Sequence, residues 1–303
     1  MSEEKRVVSV SLGSSTRDAH IETEILGTPV VIERKGVDGD VARAIAMIDE
    51  LDGTIDAFGL GGIDLFLQLG ERRYYFREAR QLARHAKTTP IVCGAGLKNT
   101  LERRVVEQLD STIGWRGRRV LMVSAADRFG MSEALEAAGA EMVYGDLMFS
   151  MGVPLTLRSL KSAGRLARVI APLIVRLPVA WIYPTGESQE ASNSGRAGRH
   201  FAWAEVIAGD FHFIRRYAPA DLSGKIVLTN TTTASDIELL RERGVATLIT
   251  TTPRYGGRSL STNLLEAAFV AVSGKHPLSP EGYRELLDNS GLQPDVQTLN
   301  GPA

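Results

Sequence analysis

The sequence predicts an α/β protein made of two Rossmann-like domains with mainly parallel, doubly wound sheets. Eight short apolar runs each end in a cluster of glycine, hydroxyl and charged residues. Several are followed by helical periodicity, which is the pattern of a buried strand leading into a helix. Ligands of such folds bind at the carboxyl ends of the strands, so these clusters are the candidate functional loops. They read SLGSSTRD, GLGGID, CGAGLKNT, SAADRFG, YPTGESQE, GDFHFIRRY, TNTTTASD and TTPRYGGRS.

The order of the predicted strands divides the 303-residue chain into two domains and a tail. An N-terminal α/β domain covers residues 1–116, with a crossing near Trp115, and a Rossmann-like domain covers residues 117–276. Residues 277–303 are rich in Pro, Gly, Asn and Asp, and we expect a mobile tail with one short helix at 283–287. The predicted strands are residues 6–12, 29–33, 55–60, 90–93, 118–123, 142–144, 179–182, 205–207, 225–228 and 247–249.

Composition restricts the kinds of partner. Lys and Arg number 35 against 36 Asp and Glu, so no global field attracts nucleic acid or an acidic membrane, and any anion site is local. The single cysteine, Cys93, excludes an intrachain disulfide and fits a reduced cytoplasm. No signal peptide or membrane span is indicated. We therefore expect a cytoplasmic protein that makes no direct nucleic-acid or membrane contact and can form a homodimer.

A run of arginines predicts a phosphate-binding helix face. Residues 73–86 carry helical periodicity, and four arginines recur there at spacings that place them on one side of a helix. Guanidinium groups suit phosphates, and the neighbouring Tyr74 and Tyr75 can stack nucleobases. The alternative is a solvated face neutralised by acidic side chains. The arginines are Arg73, Arg77, Arg80 and Arg84.

Two loops of the first domain offer further anion ligands. Arg17 follows the hydroxyl-rich end of the first strand and can hold a phosphate or sugar, whereas Asp18 binds ligand or caps a helix. Lys98 and Asn99 follow a glycine-rich turn at a predicted helix start, where anions are favoured. Tight βα turns without a ligand explain the same glycines.

Two clusters of the second domain also carry candidate residues. Asp210 and His212 alternate with phenylalanines, which predicts a strand or turn with Asp210 and His212 on one face. Together they could serve as an acid–base pair, or they could form only a structural hydrogen bond. No further ligand at metal-binding spacing lies nearby, so we expect no metal. Arg254 and Arg258 follow a threonine triplet and form a candidate nucleotide surface, although threonines there also cap helices.

The segment around residues 118–146 has the proportions of a mononucleotide-binding βαβ unit. Its turn carries Asp127 and Arg128 in place of the paired glycines that admit a pyrophosphate, and Asp127 would repel phosphate. If NAD(P) binds there, Asp146 would lie near the ribose and favour NAD.

A family resemblance rests on VVSVSLGSSTRD, GLGGIDL, LMVSAADRFGM, WIYPTGE, VIAGDFHFIRRYAP, LTNTTT and LITTTPRYGGRS. Over residues 6–274 the chain resembles a bacterial family labelled quinate 5-dehydrogenase and is similar to a cyanobacterial receptor for cyclic di-GMP. The label implies NAD(P)-dependent oxidation of quinate or shikimate, with a Lys and an Asp near the reacting hydroxyl. Lys98 and Asp127 could take those roles, but no motif match assigns them.

The receptor similarity implies a protein that binds a cyclic dinucleotide and signals through a partner such as a transcription regulator. Arg73 and Arg77 reproduce the R-x-x-x-R spacing of the unrelated PilZ type of cyclic di-GMP domain. Together with the altered cofactor turn, this spacing favours a cyclic di-GMP receptor without cofactor or catalytic residues over the alternative, an NAD-dependent dehydrogenase.

Overall fold

The computed structural model describes residues 3–69, 72–177, 197–255 and 258–301. The chain divides into two compact units. Unit 1 contains the described residues of Met1–Thr100, Ala171–Gln189 and Leu260–Leu292, and unit 2 those of Leu101–Ile170, Glu190–Ser259 and Gln293–Ala303. This division differs from the predicted boundaries at residues 116 and 276, because the chain crosses between the units more than once.

The described residues form the following elements in chain order. The first are β1 Lys5–Ser11, β2 Ala19–Ile25, β3 Thr28–Gly36, α1 Val41–Leu51, β4 Ala57–Gly61, β5 Phe66–Leu69, β6 Arg72–Tyr75, α2 Arg77–Ala83, β7 Ile91–Val92 and α3 Ala95–Ile113. The next are β8 Arg119–Met122, α4 Phe129–Ala137, β9 Glu141–Tyr144, α5 Asp146–Met151, α6 Leu160–Ile174, α7 Gly198–Trp203, β10 Val206–Ala208 and α8 Phe211–Tyr217. The last are β11 Ile226–Thr229, α9 Ala234–Glu242, β12 Thr247–Thr250, β13 Arg254–Tyr255, β14 Arg258–Ser259, α10 Thr262–Ser273, α11 Pro280–Ser290 and β15 Asp295–Thr298.

The main sheet of unit 1 has the strand order β2-β3-β1-β4-β7, in which only β2 is antiparallel to its neighbour. The apolar helix α10 packs against β1, β3, β4 and β7 and is buried along most of its length. Its Asn263 donates a 2.7 Å side-chain hydrogen bond to Ser9 Oγ, which satisfies two polar groups in the core. β5 and β6 form a separate antiparallel hairpin.

The predicted helix over residues 73–86 is wrong in its first turn. Residues 72–75 are strand β6, and the helix begins only at Arg77, after the fully buried Phe76. Aromatic residues favour strands, and Tyr74 and Tyr75 pair across the hairpin with Leu67 and Phe66. Arg73 therefore lies on a strand and does not share a helix face with Arg77 and Arg80.

The sheet of unit 2 has the strand order β15-β12-β11-β10-β8-β9, in which only β15 is antiparallel to its neighbour. Counted along the chain, its five parallel strands run 2-1-3-4-5. In this order β8 and β10 flank the topological switch point, where loops diverge and ligands of such sheets bind. The predicted α/β class with mainly parallel sheets is confirmed; the predicted strand at residues 179–182 lies outside the described residues.

The tail expected to be mobile is ordered over most of its length. Ser279 accepts a hydrogen bond from the Gly282 amide and caps α11, whose first residue is Pro280. Residues 295–298 then pair antiparallel with β12 as strand β15. The composition of the tail indicated turns, but sheet pairing with a distant strand orders it.

Candidate functional site

Three of the predicted residues, Arg73, Tyr75 and Arg80, form an arginine–aromatic surface in unit 1 together with the half-buried Phe66. The rings of Phe66 and Tyr75 lie 5.4 Å apart between centroids, at an interplanar angle of 58°. The guanidinium carbon of Arg73 lies 4.7 Å from the Phe66 centroid, and that of Arg80 lies 5.2 Å from the Tyr75 centroid. Each ring thus carries one cation, an arrangement stabilised by the quadrupole of the ring.

The hairpin and the start of α2 create this surface. Arg73 and Tyr75 are two residues apart on β6 and share one face, opposite Phe66 on β5. The chain then passes through Phe76, whose amide donates a 3.0 Å hydrogen bond to the Leu65 carbonyl. About one turn into α2, the guanidinium of Arg80 lies over the Tyr75 ring. Tyr75 is 44% exposed, so the surface is open to solvent.

The neighbouring candidates are placed less favourably for a ligand. Arg77 is exposed on α2, the helix that carries Arg80, whereas Tyr74 is half-buried. No carboxylate in the described part of the chain lies within 4 Å of the guanidinium of Arg73, Arg77 or Arg80. Sequence reasoning missed Phe66, because only hairpin pairing brings it to this surface.

The loop after β1 is held by a buried arginine. The Arg34 guanidinium donates to Asp18 Oδ1 at 3.0 Å and to the Ser14 carbonyl at 2.9 Å, and Asp18 also accepts a 2.6 Å bond from the Gly36 amide. Burial, with the nearby charge of Arg17, lowers the pKa of Arg34 to about 10. Asp18 therefore organises the loop, and Arg17 is half-buried close to a second cation.

Lys98 and Asn99 lie on α3, at the carboxyl ends of β4 and β7. Lys98 Nζ lies 3.3 Å from Asp64 Oδ1, and their side chains are only 10% and 11% exposed. Asn99, the next residue after Lys98, is half-buried. Asp64 was not predicted as a site residue, although it is the last residue of GLGGID, one of the strand-end clusters that the sequence marked as candidate functional loops. Burial raises the pKa of the adjacent thiol of Cys93, which agrees with a packing role for this residue.

The switch point of unit 2 is filled by Arg128, whose side chain is 1% exposed. Its guanidinium bonds to Glu102, lies 2.9 Å from Asp210 Oδ2 and lies 3.7 Å from Asp127 Oδ2. Burial acts to raise the pKa of Asp210, but the charges of Arg128 and His212 outweigh it and hold that pKa below its usual range. Glu102 is a further residue that sequence reasoning missed, since nothing local marks it.

The expectation that Asp210 and His212 share a strand face is wrong. Asp210 is the N-cap of α8, and its Oδ1 accepts a 2.9 Å hydrogen bond from the His212 amide. The phenylalanines that suggested alternation are buried on the helix instead. The structure therefore brings Asp127, Arg128 and Asp210 together, and His212 is half-buried in the first turn after the cap.

The turn between β8 and α4 does not fit a dinucleotide. The Ala126 amide donates a 2.8 Å hydrogen bond to Asp146 Oδ1, so one donor that a pyrophosphate would use is occupied. Asp146 was expected near a ribose, but its carboxylate accepts this hydrogen bond from the turn between β8 and α4. Burial raises the pKa of Asp146 to about 6.

The threonine-rich strand ends of unit 2 hold Arg254. Its guanidinium donates to Thr232 Oγ1 at 3.2 Å and lies 3.8 Å from Asp295 Oδ2 on β15. Burial lowers the pKa of Arg254. The side chain of Arg258 lies outside the described residues. No group of three or more His, Cys, Asp or Glu suited to a metal occurs among the described residues.

Comparisons with known proteins give two family matches. A family described as a domain of unknown function (DUF8754) matches residues 96–299, and one described as a domain of unknown function (DUF8753) matches residues 6–93. No curated protein matches the chain in sequence.

Several solved structures are similar at low identity. A galactofuranose-binding protein is 11% identical, with 94% of this chain and 98% of that chain covered and a TM-score of 0.37. A periplasmic solute-binding protein from Actinobacillus succinogenes with bound D-allose is 11% identical, with 97% and 98% covered and a TM-score of 0.39. A glutamate dehydrogenase from Thermus thermophilus is 14% identical, with 95% and 73% covered and a TM-score of 0.44. Similarity of this strength identifies no ligand.

Proposed function

We propose that the protein is a receptor for cyclic di-GMP. It belongs to the family described as a domain of unknown function (DUF8754), whose model matches residues 96–299. That description gives no function, so the proposal rests on the residues of this chain. The ligand binds at the arginine–aromatic surface of unit 1. The proposal includes a cytoplasmic location and a protein partner, such as a transcription regulator, that responds to the bound state. It assigns no catalytic residue and no cofactor.

The observation that carries the proposal is the pairing of two aromatic rings, the exposed Tyr75 and the half-buried Phe66, with two guanidiniums. A guanine base can stack on the Tyr75–Arg80 pair, because every base presents a π-face to an aromatic side chain or to a guanidinium plane. The phosphates of a cyclic dinucleotide are then within reach of arginines, which bind phosphate oxygens through paired donors. Arg77 adds a third exposed cation on the same helix as Arg80.

The charge of this surface supports an anionic ligand. The whole chain has a net charge of −1, so attraction for a dinucleotide has to be local. Arg73, Arg77 and Arg80 lie within eight residues of one another and face no described carboxylate within 4 Å. An anion placed among them relieves their mutual repulsion, which gives a physical reason for binding.

One observation favours a second candidate, NAD(P)-dependent oxidation of a quinate- or shikimate-like polyol. The resemblance implies a Lys and an Asp near the reacting hydroxyl, and Lys98 and Asp64 form a buried pair at strand ends. Against it, the turn of residues 124–130 does not fit the cofactor, because Asp146 occupies the Ala126 amide and Arg128 is enclosed by carboxylates. We therefore rank this activity second.

The finer fold assignment belongs to the same proposal. The 2-1-3-4-5 order of unit 2 supports a doubly wound, Rossmann-like domain. In unit 1 the parallel strands have the order β3-β1-β4-β7, which also supports a Rossmann-like arrangement, with β2 added at one edge.

Isothermal titration calorimetry of the full chain with cyclic di-GMP, then with NAD and NADP in the same buffer, tests the two candidates. We expect micromolar or tighter binding of cyclic di-GMP and no cofactor binding. Cofactor binding alone, followed by a change in nicotinamide absorbance on adding quinate or shikimate, would replace the receptor by the dehydrogenase.

A further inference from the structure

Strand β2 is an open edge of the unit 1 sheet. It pairs with β3 alone, and no other described strand is hydrogen-bonded to it. Edge strands carry a row of backbone amides and carbonyls that can pair with a further strand. β2 spans seven residues, Ala19–Ile25, contains no proline and keeps a continuous register with β3. It therefore lacks the prolines and bulges by which many proteins block such edges.

Both ends of β2 are held in place within unit 1. Before the strand, Asp18 Oδ1 accepts hydrogen bonds from the Arg34 guanidinium at 3.0 Å and from the Gly36 amide at 2.6 Å. After it, Leu26 and Gly27 form a two-residue turn with φ values of 53° and 75°, and β3 follows directly. Two-residue turns with positive φ match the twist of the strands that they join. The edge is thus pre-organised, which lowers the entropic cost of binding.

The side chains of β2 alternate between two faces of the sheet. His20, Glu22 and Glu24 are exposed on one face, whereas Ile21 is half-buried on the other. Nε2 of His20 lies 3.3 Å from Glu22 Oε1, and both side chains are more than half exposed. These two groups are complementary in hydrogen bonding and are accessible to another strand.

We propose that β2 pairs antiparallel with β2 of a second copy of this chain, about a twofold axis at Ile21, so that the two unit 1 sheets become one. In this register His20 lies opposite Glu22 of the second copy, and by symmetry Glu22 lies opposite its His20. The two Ile21 side chains meet on the other face. Opposed pairs of these kinds stabilise antiparallel strands. Glu24 comes opposite Asp18, just outside the strand, whose carboxylate is already bound by a guanidinium.

Charge selects this register over its neighbours. A twofold axis perpendicular to the sheet keeps the two faces distinct, so the register can shift only by placing another residue at the axis. With Glu22 at the axis two carboxylates would oppose each other, and with His20 there two imidazoles would. Like charges directly opposite one another are destabilising. The axis at Ile21 avoids both arrangements and gives each His20 a carboxylate.

Other occupants fit this edge less well. An unrelated extended segment would meet three charged side chains without matched groups of its own, which is how charged edges exclude foreign strands. An anionic lipid surface would repel the carboxylates of Glu22 and Glu24, and no described helix is long and apolar enough to cross a bilayer. A second copy supplies the complementary groups, because it carries the same strand.

Sedimentation velocity of the full chain over a wide range of concentrations tests the proposal. A short contact between sheet edges buries less area than a standard interface, so we expect a reversible dimer with a dissociation constant on the order of 10 μM. Hydrogen exchange in Ala19–Ile25 should slow as the dimer forms, because outward-facing amides become hydrogen-bonded. Exchange in α1, Val41–Leu51, should stay the same.

Charge reversal tests the register. His20→Glu opposes carboxylate to carboxylate at two places and should weaken the dimer about tenfold or more, whereas His20→Glu combined with Glu22→His exchanges the two groups and should restore it. The matched control is Val41→Glu, which adds one acid on α1 at a position that is 43% exposed, and it should leave the dimer unchanged. Circular dichroism confirms that each variant is folded.

Three results would each overturn the proposal. The first is a chain that stays monomeric at every concentration. The second is a dimer that His20→Glu leaves intact or that Val41→Glu weakens equally, because the contact would then lie elsewhere or respond only to total charge. The third is a double variant that remains as weak as His20→Glu alone, because the two groups would then not oppose each other.

Discussion

The guanidinium carbon of Arg80 lies 5.2 Å from the centroid of the Tyr75 ring, across the bend from β6 to α2. The two residues belong to different secondary structures, and the fully buried Phe76 lies at the bend, as the N-cap residue of α2. A ring on a strand is thereby covered by a cation from a helix, five residues later. The surface that we assign to cyclic di-GMP depends on this turn of the chain.

Tyr75→Ala and Arg80→Ala should each weaken cyclic di-GMP binding. Stacking of a base on an aromatic side chain contributes about 1–3 kcal/mol, so Tyr75→Ala should raise the dissociation constant by about five- to a hundredfold. Loss of a charge-assisted contact to phosphate should make Arg80→Ala comparable. Calorimetry measures both.

The control for this pair is Arg84→Ala, which removes the same kind of side chain from the exposed C-cap position of α2. Its affinity should stay within about twofold of wild type, because ordinary surface positions contribute little. If Arg84→Ala and Arg80→Ala lost the same cyclic di-GMP affinity, the effect would come from the overall positive charge of the helix, and the proposed binding site would be wrong.

Phe76→Ala should destabilise unit 1. The side chain is fully buried, and truncation of a buried phenylalanine costs about 3–5 kcal/mol through lost apolar contact and a residual cavity. Denaturant unfolding measures the change, with Tyr75→Ala as the exposed neighbour whose effect should be small. A loss below about 1 kcal/mol would contradict a core packing role for Phe76.

Sequence periodicity predicted the strands whose apolar runs are continuous, such as β1, β8, β11 and β12. It missed β2, because AHIETEI alternates exposed and half-buried residues and has no continuous apolar run. Such alternation is itself typical of a strand with one wet face. The tail was misread for a different reason, since pairing of β15 with β12 joins residues about fifty positions apart.

The candidate site was predicted in part and for an incomplete reason. Spacing on a helix selected Arg73, Arg77 and Arg80, yet Arg73 reaches the surface from a strand. The charges pointed to this surface because guanidiniums close in sequence repel one another and favour an anion nearby, whether they lie on a helix or on a strand. Phe66, Asp64 and Glu102 could not be assigned, because hairpin register and strand-end contacts are long-range.

Arg128→Met should destabilise unit 2 strongly. Arg128 is enclosed by Glu102, Asp127 and Asp210, and its removal leaves buried carboxylates without their cation. Breaking a buried pair in this way costs about 3–5 kcal/mol. Arg103→Met is the control, because the Arg103–Glu133 pair is more exposed and should contribute about 1 kcal/mol or less. Similar urea midpoints for the two variants would contradict a structural role for the Arg128 cluster.

Asp146→Asn should remove a pH dependence from the stability of the protein. Burial raises the pKa of Asp146 to about 6 in the folded state, above its ordinary value of 3.8. A raised folded-state pKa means that its contribution is fully present below the unfolded pKa and is lost as pH rises towards 6. The shift corresponds to about 2–3 kcal/mol by linkage. Asparagine keeps the carbonyl oxygen that accepts the Ala126 amide but cannot ionise.

Urea unfolding of wild type and Asp146→Asn between pH 4 and pH 7 measures this difference. The stability of the variant relative to wild type should rise from about pH 4, level off above about pH 6 and stay constant to pH 7. Over this range the wild-type carboxyl ionises more readily in the unfolded chain than in the folded protein, which lowers the free energy of unfolding of wild type, whereas asparagine does not ionise. A difference that is flat across this range would mean that Asp146 is ionised in the folded protein at all of these pH values. The Ala126 amide would then stabilise a carboxylate as it would a phosphate, and the turn would have to be reconsidered as an anion site with Asp146 occupying it.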